Sequence, residues 1–251
     1  MEKISSRKNE YIRALRQLAG DAAYRRERGE YLCDGMKTLR EALSFGGAVT
    51  SVLWKDEAQD IALPEDCLQY ISDGELFDYA SPMKNSPGPL FTVKIPDADK
   101  ASPIKNAIVL ETVQDPGNVG TVIRTANAFG TDAVILTGDC ADLYNHKTVR
   151  ATMGAIFRQR VICCEREELA ALLSKNNLNL YGAALSKRAE DIRKVNIKNA
   201  AVAVGSEGRG LSEELLSMCR GELIIPMQPD SESLNASIAA AIVMWEMSFG
   251  A

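Results

Sequence analysis

Histidine and aromatic residues are scarce in this chain of 251 residues. It has one histidine, His146, and Phe, Trp and Tyr together make up 6% of its residues. Because histidine is the most frequent general acid or base near neutral pH, a catalytic triad would have to use His146. That residue lies in a polar connection, which favours an exposed loop histidine. We therefore expect the chemistry to depend on other residues.

Metal-binding cysteine pairs and long apolar runs are also missing. The six cysteines include no C-x-x-C pair, and with one histidine they give too few ligands for a Cys/His zinc site, so we expect no metal. We expect reduced, mostly buried thiols instead. No stretch resembles a signal peptide or is long enough for a transmembrane helix, which predicts a cytoplasmic protein.

The formal net charge of −5 excludes a globally basic protein that wraps nucleic acid. The charge is uneven, because residues 1–28 carry eight basic and four acidic side chains. A basic helix face in this segment is either a solvated surface or a binding surface for a polyanion, and the sequence leaves both open. The apolar face of the same helix is predicted to consist of Ile12, Leu15, Leu18 and Ala19.

Two domains are predicted from the change in texture along the chain. Short strands and helices alternate through Val93, and a polar, proline-bounded segment follows them. We predict a small domain over residues 1–96, a linker over 97–103 and a second domain over 104–251. In the second domain, apolar strands alternate with helices, which predicts a mostly parallel sheet covered on both faces. The predicted strands are 107–110, 133–136, 160–163, 180–184, 200–204 and 223–225, and the predicted helices are 119–129, 167–175, 213–218 and 234–249.

Three polar clusters follow predicted strands, and this is where ligands bind in open α/β sheets. The first, QDPGNVG at 114–120, leads into a helix that carries Arg124 in its second turn. Asn118 is a candidate N-cap of that helix. Arg124 either stays on the polar face of the helix or reaches back to the strand ends, where its forked donor suits a phosphate.

The second cluster, GSEGRG at 205–210, allows a tight turn and a close backbone approach to a ligand. It holds Glu207 where a carboxylate could order a cation or a hydroxyl; a plain strand-to-helix turn is the alternative. The glycine spacing is neither G-x-G-x-x-G nor a P-loop, which disfavours a dinucleotide-dependent oxidoreductase. The third cluster, SLNAS at 233–237, opens the last helix, and capping explains one of its three polar residues.

Together the three clusters resemble the three motifs of the SpoU family of RNA 2′-O-ribose methyltransferases, in the SPOUT superfamily. The first motif reads N-x-G-x-x-x-R-x-A-x-A-F-G from Asn118, and the second reads G-x-E-G-x-G-L from Gly205. The third reads IPM from Ile225, followed by SLNAS. Order and spacing match across the whole region.

Two other stretches add to the resemblance. The segment from Lys147 to Ala155 is similar to a stretch common in the family. SRKN at 6–9 and CDG at 33–35 resemble the small ribosomal-protein-like substrate-binding domain that precedes many members. Asp34 stands where the family usually has Glu, a change that leaves the turn intact.

The resemblance implies an α/β fold whose C-terminal domain contains a parallel sheet and a deep trefoil knot, preceded by an RNA substrate-binding domain. It implies S-adenosylmethionine as the cofactor and a homodimer formed through the C-terminal domain. It assigns catalysis to Arg124, Glu207, Asn235 and Asn118, and cofactor binding to Gly205, Ile225, Met227, Leu234, Leu185 and Ser237. Together with the basic segment, it makes Arg13, Arg25, Arg26, Arg28 and Arg150 the expected RNA contacts.

In this scheme Arg124 grips the target phosphate and lowers the pKa of the ribose hydroxyl, since a guanidinium stays protonated. His146 has no role. The N-terminal domain favours ribosomal RNA as the substrate, with transfer RNA as the alternative. A catalytically silent RNA-binding protein with the same fold is a competing hypothesis, which the intact catalytic residues disfavour.

Overall fold

The computed structural model describes residues 1–228 and 233–249. The chain forms two compact units, and neither is one continuous stretch of sequence. The N-terminal unit contains Met1–Asp97 and Asp142–Phe157, and the C-terminal unit contains the described residues of Ala98–Ala141 and Arg158–Ala251.

The structure differs from the predicted domain boundaries at residues 142–157. The sequence prediction placed them in the second domain, because they lie between two of its strands. In the structure their apolar side chains pack into the core of the N-terminal unit, with Val149 buried and Tyr144 and Phe157 partly buried there. A pairing between segments so far apart in sequence has no local signature.

The helices and strands that the structure describes have the following bounds. The strands are β1 (Glu2–Lys3), β2 (Glu30–Asp34), β3 (Val49–Lys55), β4 (Leu68–Ser72), β5 (Leu90–Lys94), β6 (Ala107–Glu111), β7 (Ala133–Thr137), β8 (Val161–Cys163), β9 (Asn179–Ala183), β10 (Glu190–Asp191), β11 (Ala200–Val204) and β12 (Gly221–Ile224). The helices are α1 (Glu10–Gly20), α2 (Ala22–Arg28), α3 (Met36–Ser44), α4 (Gly74–Ala80), α5 (Pro116–Phe129), α6 (His146–Ala151), α7 (Arg166–Lys175), α8 (Glu213–Met218) and α9 (Ala236–Phe249).

The N-terminal unit is a five-stranded sheet between two layers of helix. Its strand order is β1-β4-β3-β5-β2, and β5 runs antiparallel to both of its neighbours. Alternate residues point to opposite faces. Leu53 and Leu90 share a core with α1 and α4, whereas Trp54 and Phe91 share the opposite core with α3 and α6. The predicted apolar face of α1 is confirmed, since its four residues are all buried.

The C-terminal unit is built on a seven-stranded parallel sheet, which confirms the predicted α/β class. The strand order is β10-β12-β9-β11-β6-β7-β8. All six predicted strands are present within two residues of their predicted ends, and β6, β7 and β11 are buried along their whole length. Because the strands are parallel, their carboxyl ends lie along one edge of the sheet.

Helix caps explain where two of the predicted helices begin. Ser212 caps α8 as predicted, through a hydrogen bond from the backbone N–H of Leu215. The prediction that Asn118 caps α5 is wrong: the helix begins earlier, at Pro116, because the side chain of Asp115 accepts the N–H of Asn118. Proline suits the first helical position, since no hydrogen bond from its nitrogen is needed there.

Other residue-level expectations have mixed outcomes. His146 is not in a loop: it is the half-buried first residue of α6, with Nδ1 3.1 Å from the carbonyl oxygen of Ala19. The six cysteines all lie within the described residues and none forms a disulfide; Cys33 and Cys67 are buried and Cys163 is exposed. None of the described helices is both long and apolar enough to cross a membrane.

The prediction that Arg25 contacts RNA is wrong. Its side chain is 2% exposed, and its guanidinium pairs with the carboxylate of Asp142. It also donates to the carbonyl oxygen of Leu18 at 2.6 Å. A guanidinium that is buried and fully engaged has no surface to offer to RNA, so Arg25 joins α2 to the segment 142–157 inside the N-terminal unit.

Replacing Arg25 with Met would leave the Asp142 carboxylate without its cationic partner. We expect the N-terminal unit to lose about 2 kcal/mol of unfolding free energy, because the partly exposed Asp142 carboxylate and the Leu18 carbonyl lose their charge-assisted hydrogen bonds. Arg26→Met, at an exposed site of the same helix, should change it by less than about 0.5 kcal/mol. Urea unfolding followed by Trp54 fluorescence in a Trp245→Phe background measures both. Equal stability of the two variants would contradict the structural role of Arg25.

Candidate active site

A cavity of about 450 Å³ lies in the C-terminal unit at the carboxyl ends of β9, β11 and β12. Its wall combines apolar side chains with the backbone of the turn that follows β11. Five of the six predicted cofactor-binding residues line it: Leu185, Gly205, Ile225, Met227 and Leu234.

The turn after β11 is held by a backbone contact that requires glycine. A Cβ atom at Gly205 would lie 2.1 Å from the carbonyl oxygen of Gly210, far inside contact distance. The N–H of Gly210 donates to the carbonyl oxygen of Ser206 at 2.9 Å and closes the turn. Gly210 itself has a φ of +66°, which favours glycine. The close approach carries Glu207 to the wall of the cavity.

Glu111 anchors the far end of this turn, a role that the sequence analysis missed. Glu111 is the last residue of β6 and is 3% exposed. Its carboxylate accepts hydrogen bonds from both the N–H and the hydroxyl of Ser212, each at 2.7 Å. Arg166 donates to the same carboxylate at 3.1 Å. A glutamate that closes an otherwise apolar strand, AIVLE, is the signal that could have revealed it, since a buried carboxylate needs partners.

Asn118, Glu207 and Asn235 form one hydrogen-bonded cluster beside the cavity. The Asn118 side-chain amide donates to Glu207 Oε1 at 2.9 Å, and that of Asn235 donates to the same oxygen. The Asn235 amide also lies 3.1 Å from Asn118 Oδ1. Because Asp115 caps α5, the side chain of Asn118 is available for this contact. The three sequence clusters thus meet at one point.

The start of α9 fixes the orientation of Asn235. Its Oδ1 accepts the N–H of Ser237 at 2.9 Å, the hydroxyl of Ser237 at 2.6 Å and the N–H of Ile238 at 3.3 Å. The amide nitrogen is therefore the end that points to Glu207. Ser237 is buried and is not among the residues that line the cavity, so its predicted cofactor contact stays a prediction.

Arg124 is the predicted catalytic residue that the structure does not bring to this cluster. It follows Asn118 by six positions on α5, which separates the two by about 9 Å along the axis and about 240° around it. The side chain is exposed and makes no ion pair with any residue in the described ranges. Its predicted role requires a ligand or surface that approaches from outside this cluster.

The other predicted RNA contacts lie on the N-terminal unit. Arg13, Arg26 and Arg28 are exposed on α1 and α2, and Arg28 is 3.7 Å from the carboxylate of Glu30. Arg150 is exposed on α6, with Nη1 2.9 Å from Met83 Sδ. Within residues 1–228 and 233–249, no group of three or more His, Cys, Asp or Glu side chains could hold a metal ion.

The contact at Gly205 predicts a strong and local effect of substitution. Gly205→Ala should weaken binding of S-adenosylmethionine, the cofactor expected from the sequence, by at least about ten-fold, or about 1.4 kcal/mol. The added methyl group would force the turn away from Gly210 and distort the cavity wall. Gly208→Ala is the matched control in the same turn, where a Cβ meets no described atom within 4 Å. Isothermal titration calorimetry that finds equal affinities would contradict this account.

Comparison with known proteins places this site in a family. Residues 105–245 match the SpoU rRNA Methylase family. The chain is 31% identical over 248 residues to the 23S rRNA (guanosine(2553)-2′-O)-methyltransferase RlmP of Bacillus subtilis, which covers 98% of this chain and 99% of that protein.

Solved structures show the same fold over nearly the full length. The AdoMet-bound rRNA methyltransferase from Sinorhizobium meliloti has a TM-score of 0.87 and 23% identity, covering 98% of this chain and 96% of the other. An RNA 2′-O ribose methyltransferase has a TM-score of 0.81 and 25% identity, covering 98% and 97%. The chain therefore belongs to the SpoU rRNA Methylase family and is an RNA methyltransferase.

Proposed function

We propose that the enzyme methylates the 2′-oxygen of a ribose in ribosomal RNA, and that transfer takes place beside Asn118, Glu207 and Asn235. The observation that carries this proposal is the shared hydrogen bonding of these three side chains at the wall of the cavity. The ribosomal substrate of the 31% identical relative supports the choice of RNA.

We infer that Leu185, Gly205, Ile225, Met227 and Leu234 hold the cofactor. The cavity volume of about 450 Å³ falls within the usual range of small-molecule sites. Apolar side chains beside exposed backbone suit an adenosine with an amino-acid tail. When bound, S-adenosylmethionine supplies an electrophilic methyl group on a sulfonium.

Glu207 is suited to hold the acceptor ribose. Its Oε1 is engaged by the two asparagine amides, and its Oε2 accepts no hydrogen bond from the residues that the structure describes. The 2′-hydroxyl can therefore donate to Oε2, which orients its oxygen and accepts its proton. Glu207 would hold the 2′-oxygen in a fixed orientation relative to the methyl donor. We expect most of the rate enhancement to come from this positioning.

Arg124 is proposed to bind the phosphate next to the target ribose. Its guanidinium is permanently charged and free of carboxylate partners among the described residues, so it can take a phosphate in a forked contact. A positive charge near the acceptor lowers the pKa of the 2′-hydroxyl and assists Glu207. Asn118 and Ser237 support the site by holding Glu207 and Asn235 in place.

A homodimer formed through α9 is part of the proposal. Ile238, Ile242, Trp245 and Phe249 are exposed on one side of this helix, and Ile238 is 51% and Trp245 54% exposed. Phe129 of α5 extends the same apolar surface, with its ring 5.7 Å from that of Trp245. A large exposed apolar patch indicates a protein interface. A second copy related by a two-fold axis would cover it with the same residues.

We also infer the deep trefoil knot in the C-terminal unit. The chain passes from β9 to its neighbour β11 and then back beyond β9 to β12. The segments that leave β9 and β11 therefore overlap at the carboxyl edge, around the cavity. Residues 1–96 are proposed to bind the RNA substrate, and we place the enzyme in the cytoplasm with its substrate.

Removing the guanidinium at position 124 tests its proposed role. Arg124→Ala should lower methyl transfer to ribosomal RNA about 100-fold or more, because the charge proposed to hold the adjacent phosphate and to lower the pKa of the 2′-hydroxyl is lost. Its affinity for S-adenosylmethionine should stay within about two-fold of wild type. Radiolabelled methyl transfer and mapping of 2′-O-methyl sites measure the activity. His146→Gln is the control and should retain turnover; a folded His146→Gln enzyme without activity would refute the scheme.

A charge on the exposed face of α9 tests the dimer. Ile238→Asp should shift the enzyme from dimer to monomer at micromolar concentration, because each protomer would bury a carboxylate in the interface. Leu68→Asp, which changes an exposed leucine on β4, should leave the assembly unchanged. Sedimentation velocity gives the mass of each species. A wild-type enzyme that sediments as a monomer would exclude the proposed interface.

A further inference from the structure

Two arginines from different elements meet over one tyrosine on the N-terminal unit. Arg7 precedes α1, Arg16 lies on α1, and Tyr79 lies on α4. Their guanidinium carbons are 4.7 and 4.2 Å from the centre of the Tyr79 ring, within the range of cation–π attraction. Arg16 also donates to the carbonyl oxygen of Tyr79. We call this arrangement the Arg7–Tyr79–Arg16 cluster.

The cluster is both ordered and open to solvent. Tyr79 is partly buried against the core that α1 and α4 share. Arg7 and Arg16 are nevertheless exposed. A guanidinium whose orientation is fixed before binding loses less conformational freedom when a ligand arrives. The cluster therefore presents two preorganised, forked donors to solvent.

The surroundings of the cluster are basic, with one carboxylate in direct contact. Lys8 and Arg13 are exposed on the same segment and helix. The nearest acidic group, Glu75 on α4, pairs with Arg7 at 2.7 Å, and its side chain is 86% exposed. Asp78 on the same helix is already paired with Lys55 at 2.8 Å, and Glu10 lies at the start of α1. An ion pair as exposed as Arg7–Glu75 contributes little and is readily exchanged.

We infer that the Arg7–Tyr79–Arg16 cluster binds the phosphate backbone of the substrate RNA, with Glu75 as a competing carboxylate that a phosphate replaces. A backbone phosphodiester has two terminal oxygens that can take both arms of a guanidinium, whereas Glu75 contacts Arg7 through one oxygen, Oε1. Contacts of this kind give affinity and register without reading sequence. The inference rests on the proposed function, because it assumes that RNA is the substrate.

This surface differs from the RNA contacts expected from the sequence. Of those, Arg13 lies on the same helix as Arg16, whereas Arg25 is buried and Arg150 is on α6. In the sequence, Arg7 and Arg16 were only two of the eight basic residues within residues 1–28. The structure distinguishes them because α4 brings Tyr79 to both guanidinium groups.

Neutral variants of the full-length enzyme test the cluster. The double substitution Arg7→Gln and Arg16→Gln should weaken binding to purified ribosomal RNA at least about five-fold, and should lower the salt slope of log K by about one to two, because two phosphate contacts are lost. Arg40→Gln removes one exposed arginine from α3, on the opposite layer of the same unit, and should leave both quantities unchanged. Filter binding between 50 and 200 mM salt measures them.

Glu75→Gln separates an RNA contact from a structural role. Removing the competing carboxylate should tighten RNA binding about two- to three-fold and steepen its salt slope, whereas a purely structural ion pair would give unchanged or weaker binding. Affinity for S-adenosylmethionine should be unchanged in every variant. The thermal midpoint of each variant checks that the unit remains folded.

The outcomes separate this inference from the proposed function. If the wild-type enzyme methylates ribosomal RNA and the double variant has the same KM for RNA, the proposed role of the cluster is wrong and the proposed function stands. A Glu75→Gln enzyme that binds RNA no more tightly than wild type would also overturn the role of the cluster. A wild-type enzyme that transfers no methyl group to ribosomal RNA, and binds an acidic protein through this surface, would overturn both.

Discussion

The carboxylate of Glu207 is the interaction on which the candidate site depends. It accepts hydrogen bonds from Asn118 in the first turn of α5 and from Asn235 and Ala236 at the start of α9. A single oxygen thus joins the turn after β11 to the beginnings of two helices that pack against each other. Helix N-termini favour a negative charge, so the carboxylate stabilises this junction while it forms the wall of the cavity.

Two constraints behind Glu207 determine where it lies. The backbone of Gly205 packs against that of Gly210 at a distance that a Cβ at position 205 would not allow, and Gly210 has the positive φ that favours glycine. Glu111 then holds Ser212 at the other end of the turn. The turn is therefore fixed at both ends, and its role in the proposed reaction is to position the Glu207 carboxylate. An enzyme with one histidine can work in this way, because orienting a hydroxyl beside an electrophile requires amides, carboxylates and a guanidinium.

The basic residues of segment 1–28 look alike in the sequence but lie in three different environments in the structure. Arg25 is a structural residue that joins α2 to Asp142. Arg7 and Arg16 are ordered over Tyr79, and Arg13 and Arg26 extend freely into solvent. The net charge of −5 describes none of these roles, since electrostatic attraction to RNA depends on where the charges lie.

The sequence by itself determined the parallel sheet, most helix positions and the meeting of three motifs, because strand and helix patterns are local and the carboxyl ends of parallel strands share one edge. Asn118, Glu207 and Asn235 meet as that reasoning predicts. Only the tertiary structure decided that residues 142–157 belong to the N-terminal unit, that Arg25 is buried, and that Arg124 lies away from the cluster. Arg25 and Asp142 are 117 positions apart, and no periodicity encodes a contact between residues so distant in the chain.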